Sequence, residues 1–179
     1  PSMKEQKIIS DLKEILIFQK AAHGDIQFEI TDQTNGDIAI ICDAQQIRQA
    51  VTNIVQNAID SIHEKAKTMD DYKGEIFILF SVFEGNFVVS INDNGLGFPQ
   101  DQKEADLTEP YITYKEKGTG LGLAIVKKIM LDHDGQLYLG NNKLTKQIDN
   151  WNDLGGANVM LVLPLHEQNQ VQNDSENMK

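Results

Sequence analysis

The sequence predicts an α/β fold, and three observations carry that reading. Residues 44–67 hold an apolar stripe at helical spacing, 76–91 hold two β-rich runs around a tight turn, and helical spacing returns at 121–133 after a long aperiodic stretch. At 179 residues, 40% hydrophobic and 24% charged, the chain has the composition of one globular domain.

In chain order, Ile8, Ile9, Leu12, Ile15, Leu16 and Ala22 keep helical spacing up to His23, and Gly24 is a stop signal. Ile26, Phe28 and Ile30 alternate, and with residues 37–42 beyond Asn35-Gly36 they read as a hairpin. Asp43 stands at an N-cap position with Gln46 three residues on, a capping-box pattern opening a helix to about Lys67. Ile76 to Val82 and Phe87 to Ile91 flank Glu84-Gly85-Asn86, a second hairpin signal. Residues 95–120 carry four Gly, two Pro and many charges without a period, which reads as a long functional loop. Leu121 to His133 reads as a helix ended by Asp134-Gly135, and Gln136 to Leu139 and Val159 to Leu163 read as strands joined by a polar connection, 141–156. The domain is expected to span residues 1–166, and Glu167 to Lys179, poor in apolar groups, reads as a disordered polar tail.

Composition also excludes functions. A net charge of -11 disfavours broad binding to nucleic acid or an anionic membrane, so any anionic ligand needs a local site. No apolar run exceeds five residues, whereas a membrane span needs roughly 20. No secretory signal is expected, and the single Cys42 suits a reducing, cytoplasmic compartment.

Three groups of residues could carry chemistry. On the 44–67 helix, Ile47, Val51, Ile54, Ala58 and Ile62 fall on one stripe, and Asn53, Asn57 and Asp60 on another. Side-chain oxygens of this kind are hard ligands for Mg²⁺ beside phosphates, although the same residues also suit a solvated face. Asp93-Asn94-Gly95-Leu96-Gly97 follows a β-run. A carboxylate there can accept a hydrogen bond from an exocyclic amine while glycines admit a flat ring, or the segment is a plain turn. Gly118, Gly120 and Gly122 in Gly118-Thr119-Gly120-Leu121-Gly122-Leu123 precede a helix, where backbone N–H groups favour phosphate, unless the glycines form only a hinge.

Together these residues resemble the catalytic, ATP-binding domain of two-component sensor histidine kinases, in the superfamily that includes gyrase, Hsp90 and MutL. Thr52 to Ala58 matches the N box, Asp93 to Gly97 the G1 box and Gly118 to Leu123 the G2 box, in that order. Leu107 to Lys115 resembles the lid and F-box region of the nitrogen-regulation subgroup, the NtrY-like and NtrB-like kinases. Gly155-Gly156-Ala157 before Val159 to Pro164 resembles the last glycine motif and closing strand.

The resemblance implies a two-layer α/β sandwich, a mixed sheet of about five strands under about three helices, with a mobile ATP lid from about Leu96 to Lys117. It implies ATP and Mg²⁺ as cofactors. Asn57 would bind the metal, and Asn53 would support the metal-phosphate site. Asp93 would bond the adenine amine, Gly95 and Gly97 would shape its pocket, and Tyr111, Thr113, Lys115, Lys117, Gly118, Thr119, Gly120, Leu121, Gly122 and Leu123 would meet the nucleotide. Asp60 stands where many members carry a basic residue, and Lys115 and Lys117 are the candidates to replace that contact. Thr108 and Ile112 depart from a frequent Phe and Tyr of the F box.

The implied activity is donation of the γ-phosphoryl group to a histidine on a separate dimerisation domain, with a response regulator as indirect partner. The alternatives are a gyrase- or Hsp90-like hydrolase and a nucleotide-binding module without transfer. His63-Glu64 echoes the acceptor's His-acid pair but lies at the end of the N-box helix, and His23, His133 and His166 sit at element ends where capping or surface roles are expected. In the gyrase, Hsp90 and MutL branches the residue four before the metal-binding Asn is a Glu that activates water. Asn53, an amide, stands there instead.

Overall fold

The computed structural model describes residues 1–36, 38–99 and 122–166. Its elements are β1 (Lys4–Gln6), α1 (Ile9–Ala22), β2 (Ile26–Asp32), β3 (Ile40–Cys42), α2 (Ala44–Ala66), β4 (Gly74–Phe83), β5 (Asn86–Asp93), α3 (Gly122–Asp132), β6 (Gln136–Leu139) and β7 (Asn158–Pro164). Residues 100–121, which hold the lid from Gln100 on, and the residues from 167 onward lie outside the described residues.

Five strands form one mixed sheet in the order β2-β4-β5-β7-β6, parallel only between β2 and β4. Three helices pack on one face, which is the sandwich that the family resemblance implies. The period of two selects that face: Phe28 on β2, Ile76, Ile78 and Phe80 on β4, Phe87, Val89 and Ile91 on β5 and Leu161 on β7 all join the helical core. Ile47, Val51, Ile54, Ala58 and Ile62 of α2 meet them from above, each no more than 3% exposed. Phe80 and Phe87 are fully buried with ring centroids 5.9 Å apart, so truncating either to Ala costs about 3–5 kcal/mol.

The β4–β5 turn is as expected, with Glu84 (φ 46°) and Gly85 (φ 77°) both left-handed, the conformation that suits a two-residue hairpin. The hairpin expected around Asn35-Gly36 does not form. β2 pairs in parallel with β4, and β3 pairs with β1 in a separate two-stranded sheet. Alternation marks the face a strand buries, not the strand beside it. Asp32 ends β2 instead: its Oδ1 accepts from Thr34 N (2.8 Å), and Lys13 of α1 lies 2.7 Å from its Oδ2.

The segment 141–156 is not merely a polar connection. Ile148, with Leu144, Trp151 and Leu154, packs on the reverse face of the sheet against Phe77, Leu79, Val88, Met160 and Val162. Of the two roles expected for His133 it takes the capping one and not the surface one: it is 3% exposed and ties the end of α3 to the start of α2. Its Nδ1 lies 2.7 Å from Ile129 O and its Nε2 accepts from Asp43 N (3.0 Å), an arrangement that calls for the Nδ1–H tautomer. Asp43 caps α2 as expected, its Oδ1 accepting from Gln46 N (3.3 Å). The reciprocal half of the capping box is absent because His133 takes the Asp43 N–H.

Candidate functional site

Asp93 closes β5 on the helix-facing side, in register with Ile76. It is 3% exposed, and burial of a carboxylate demands partners. They come from two loops: Oδ1 accepts from Gly95 N (2.8 Å) and Ala157 N (3.2 Å). The Asp93 backbone completes the clasp, its N–H donating to Ala157 O (3.0 Å) and its carbonyl accepting from Gly156 N (2.9 Å). A Cβ at Gly156 would lie 2.4 Å from Asp93 Oδ1, so only glycine permits this approach.

The next residue anchors the loop from below. Asn94 Oδ1 accepts from Glu75 N (2.7 Å) and Tyr72 OH (3.0 Å), and its Nδ2 donates to Lys73 O (2.9 Å). Its carbonyl accepts from Lys65 Nζ (2.9 Å), a charge that also stands 4.9 Å over the Tyr72 ring. Burial, with the charges of Asp93 and Glu75 behind it, pushes the Tyr72 phenol up to about 12, so it remains a donor near neutrality.

From above, α2 supplies Ser61, whose Oγ accepts from Leu96 N (2.8 Å). Gly97 is left-handed (φ 77°) beside Gly156. Further along α2, Asn53, Asn57 and Asp60 are half-buried, and Asp60 accepts from Gln56 Nε2 (2.8 Å) on the same helix. A Cβ at Gly122 would lie 3.6 Å from Asn57 Nδ2 and 3.7 Å from its Oδ1. The N-box amide therefore borders the last glycine of the G2 box at the start of α3, while Leu123 packs against the helical core.

Asn57 and Gly122 are thus brought together, as are Asp93, Gly95 and Gly97. Tyr111, Thr113, Lys115, Lys117, Gly118, Thr119, Gly120 and Leu121 lie outside the described residues. Sequence reasoning missed Ser61, Lys65 and Tyr72, and placed Gly156 and Ala157 in a motif without seeing that they clasp Asp93. Ser61 stands one turn after Asn57, where helical spacing signals a second contact from the same helix.

A layer of helices thus covers a mixed sheet, with a clasped carboxylate at a strand end and glycine-only approaches around it. The chain belongs to the histidine kinase-, DNA gyrase B- and HSP90-like ATPase family, whose model matches residues 42–167. Among relatives, it is 32% identical over 141 residues to nitrogen regulation protein NtrY of Azorhizobium caulinodans, covering 79% of this chain and 18% of that protein. It is 34% identical over 101 residues to sporulation kinase E of Bacillus subtilis, covering 56% of this chain and 12% of that one. The chain thus spans less than a fifth of either relative. The solved catalytic domain of histidine kinase ThkA superposes with a TM-score of 0.71 at 25% identity, over 92% of this chain and 96% of that one. In fold the chain is similar to that histidine kinase catalytic domain, and no helix among the described residues is long and apolar enough to cross a membrane.

Proposed function

We propose that the domain, residues 1–166, binds ATP with Mg²⁺ and donates the γ-phosphoryl group to a histidine of a separate dimerisation domain in the same sensor, a response regulator receiving it afterwards. The observation that carries this reading is the Asp93 clasp: a buried carboxylate whose Oδ1 is held by Gly95 N and Ala157 N. Such a fixed acceptor suits the exocyclic amine of adenine, and the glycine contacts around it suit a flat ring.

The Asn57 amide beside Gly122 fits a Mg²⁺-phosphate site, because its oxygen is a hard ligand next to a helix start that favours anions. Mg²⁺ held there would neutralise phosphate charge. Asn53 would support that site, and the glycines of 118–122 with Lys115 or Lys117 would contact phosphate. The imidazole acceptor brings its own lone pair, so a nitrogen–phosphorus bond forms as the bond to the ADP oxygen breaks, and the chain need only position the groups.

Asn53 also favours transfer over hydrolysis. An amide cannot take a proton from water near neutral pH, and such base catalysis contributes about 10²–10⁴-fold. The test follows γ-labelled ATP with and without a matching dimerisation domain, scoring acid-labile label. Label on the acceptor domain, with none on this chain alone and negligible hydrolysis, is the expected result. Brisk hydrolysis without acceptor would favour the hydrolase, and binding without transfer would leave a nucleotide-binding module.

A further inference from the structure

Away from Asp93, where α1 turns into β2, three metal-ligating side chains converge: His23, Asp25 and His63, whose ligand atoms all lie within 4.8 Å of one another. We propose that they form a binding site for a transition-metal dication of the Zn²⁺ class, an inference that goes beyond the nucleotide reading.

The backbone positions behind the three groups are held before any ion arrives. The His23 N–H donates to Gln19 O (3.1 Å) at the end of α1, and its carbonyl accepts from Ile26 N (3.1 Å) at the start of β2, which brackets the turn bearing Asp25. His63 projects from α2 beside Ile62, which presses on the sheet so closely that a Cβ at Gly74 would lie 2.3 Å from it. The ligands therefore come from a bracketed turn and a packed helix, the kind of support a metal site requires.

The chemistry selects the ion. Two imidazoles and one carboxylate suit Zn²⁺ and its neighbours, whereas Mg²⁺ and Ca²⁺ prefer oxygen alone. Bonds of about 2.1 Å in a tetrahedron place ligand atoms about 3.4 Å apart. His63 Nε2 and Asp25 Oδ2 are 3.0 Å apart already. The His23 and His63 rings have centroids 6.0 Å apart and are tilted at 52°, and His63 and Asp25 are exposed enough to rotate inward. Water would fill the remaining position. Without metal the contact between His63 and Asp25 is a surface pair of little consequence, so it gives no structural reason for a second histidine at the same point. A bound ion would bolt the α1–β2 turn to α2, about 9 Å along the helix from Asn57.

The test uses the whole chain, stripped with chelator and free of nucleotide, so that failure of the ATP reading does not touch it. Zn²⁺ is titrated against a chromophoric chelator, with Co²⁺ absorption reporting coordination and circular dichroism verifying the fold. Expected are one equivalent of Zn²⁺, a Zn²⁺-dependent rise in thermal midpoint, and affinity weakened about tenfold or more in His23→Ala, His63→Ala and Asp25→Asn. His63→Gln serves if the alanine variant does not fold, and His166→Ala is the control expected to bind normally. Absence of saturable one-to-one binding, or unchanged affinity in either histidine variant, would overturn the site.

Discussion

Ser61 and Gly95 occupy the same space from opposite sides: a Cβ added to Gly95 would lie 2.5 Å from Ser61 Oγ and 2.9 Å from Ser61 Cβ. Helix α2 and the loop after β5 are therefore in contact at a point with no room for a methyl group. Gly95→Ala is expected to displace the loop, lowering the thermal midpoint and weakening ATP binding together. Ser61→Ala is not expected to rescue it, since the Ser61 Cβ alone already collides. Calorimetric titration of both variants checks this, and rescue by Ser61→Ala would locate the clash in the hydroxyl only.

Asp93→Asn keeps the shape of the side chain but removes its charge. An amide oxygen can still accept from Gly95 and Ala157 N–H, so folding should survive. A charged hydrogen bond to the adenine amine is worth about 1.5–3 kcal/mol, so ATP affinity should fall about 10–100-fold. Equal ATP affinity in the two proteins would remove Asp93 from the adenine site.

Asn57 borders Gly122, and its role is separable by metal. Asn57→Ala should cost more affinity with Mg²⁺ present than with chelator, because an oxygen ligand is lost only when there is an ion to hold. Titrations in both conditions decide it, and equal losses would exclude Asn57 from the metal site.

Tyr72 predicts an alkaline limit. Burial first, and the negative charges of Asp93 and Glu75 after it, push its phenol from an ordinary 10.0 up to about 12. The folded state holds a proton that the unfolded chain releases. The contribution to stability is thus intact below about pH 10, declines as pH rises and is gone beyond about 12. Tyr72→Phe should flatten that part of the profile. Denaturation of both proteins between pH 8 and 11 checks it, and parallel profiles would argue against the shift.

The elements with a strong period were legible because one physical rule governs them. The apolar stripe of α2 and the alternating β4 and β5 describe the buried face directly, and that face is where the structure has it. Pairing was less legible: nothing local distinguishes β2 beside β4 from β2 beside β3, since both bury Ile26 and Phe28 equally well. β1 escaped altogether, being three residues, Lys4 to Gln6, without an apolar pattern. In the site, Asn57, Asp93 and the glycines were readable as types at a spacing, whereas Ser61, Lys65 and Tyr72 act only through the contacts the fold creates. Likewise, the chain around His133 gives no sign that Asp43, ninety residues earlier, will donate to its ring.

The segment 141–156 leaves the sheet insulated on both sides, and each side carries its own natural reporter. Cys42, the single cysteine, is buried in the helical core, where burial and then Asp43 push its thiol up to about 11. Trp151, the single tryptophan, lies on the opposite face, and the neighbouring Asn152 carbonyl accepts from Asn92 Nδ2 (2.7 Å) on β5. Thiol modification during denaturation therefore times the opening of one half, and indole emission the opening of the other. Coincident transitions would mean that the two cores melt as a single cooperative unit; a tryptophan that responds first would make the strap a separate, weaker clasp that can peel away while the helical half stays shut.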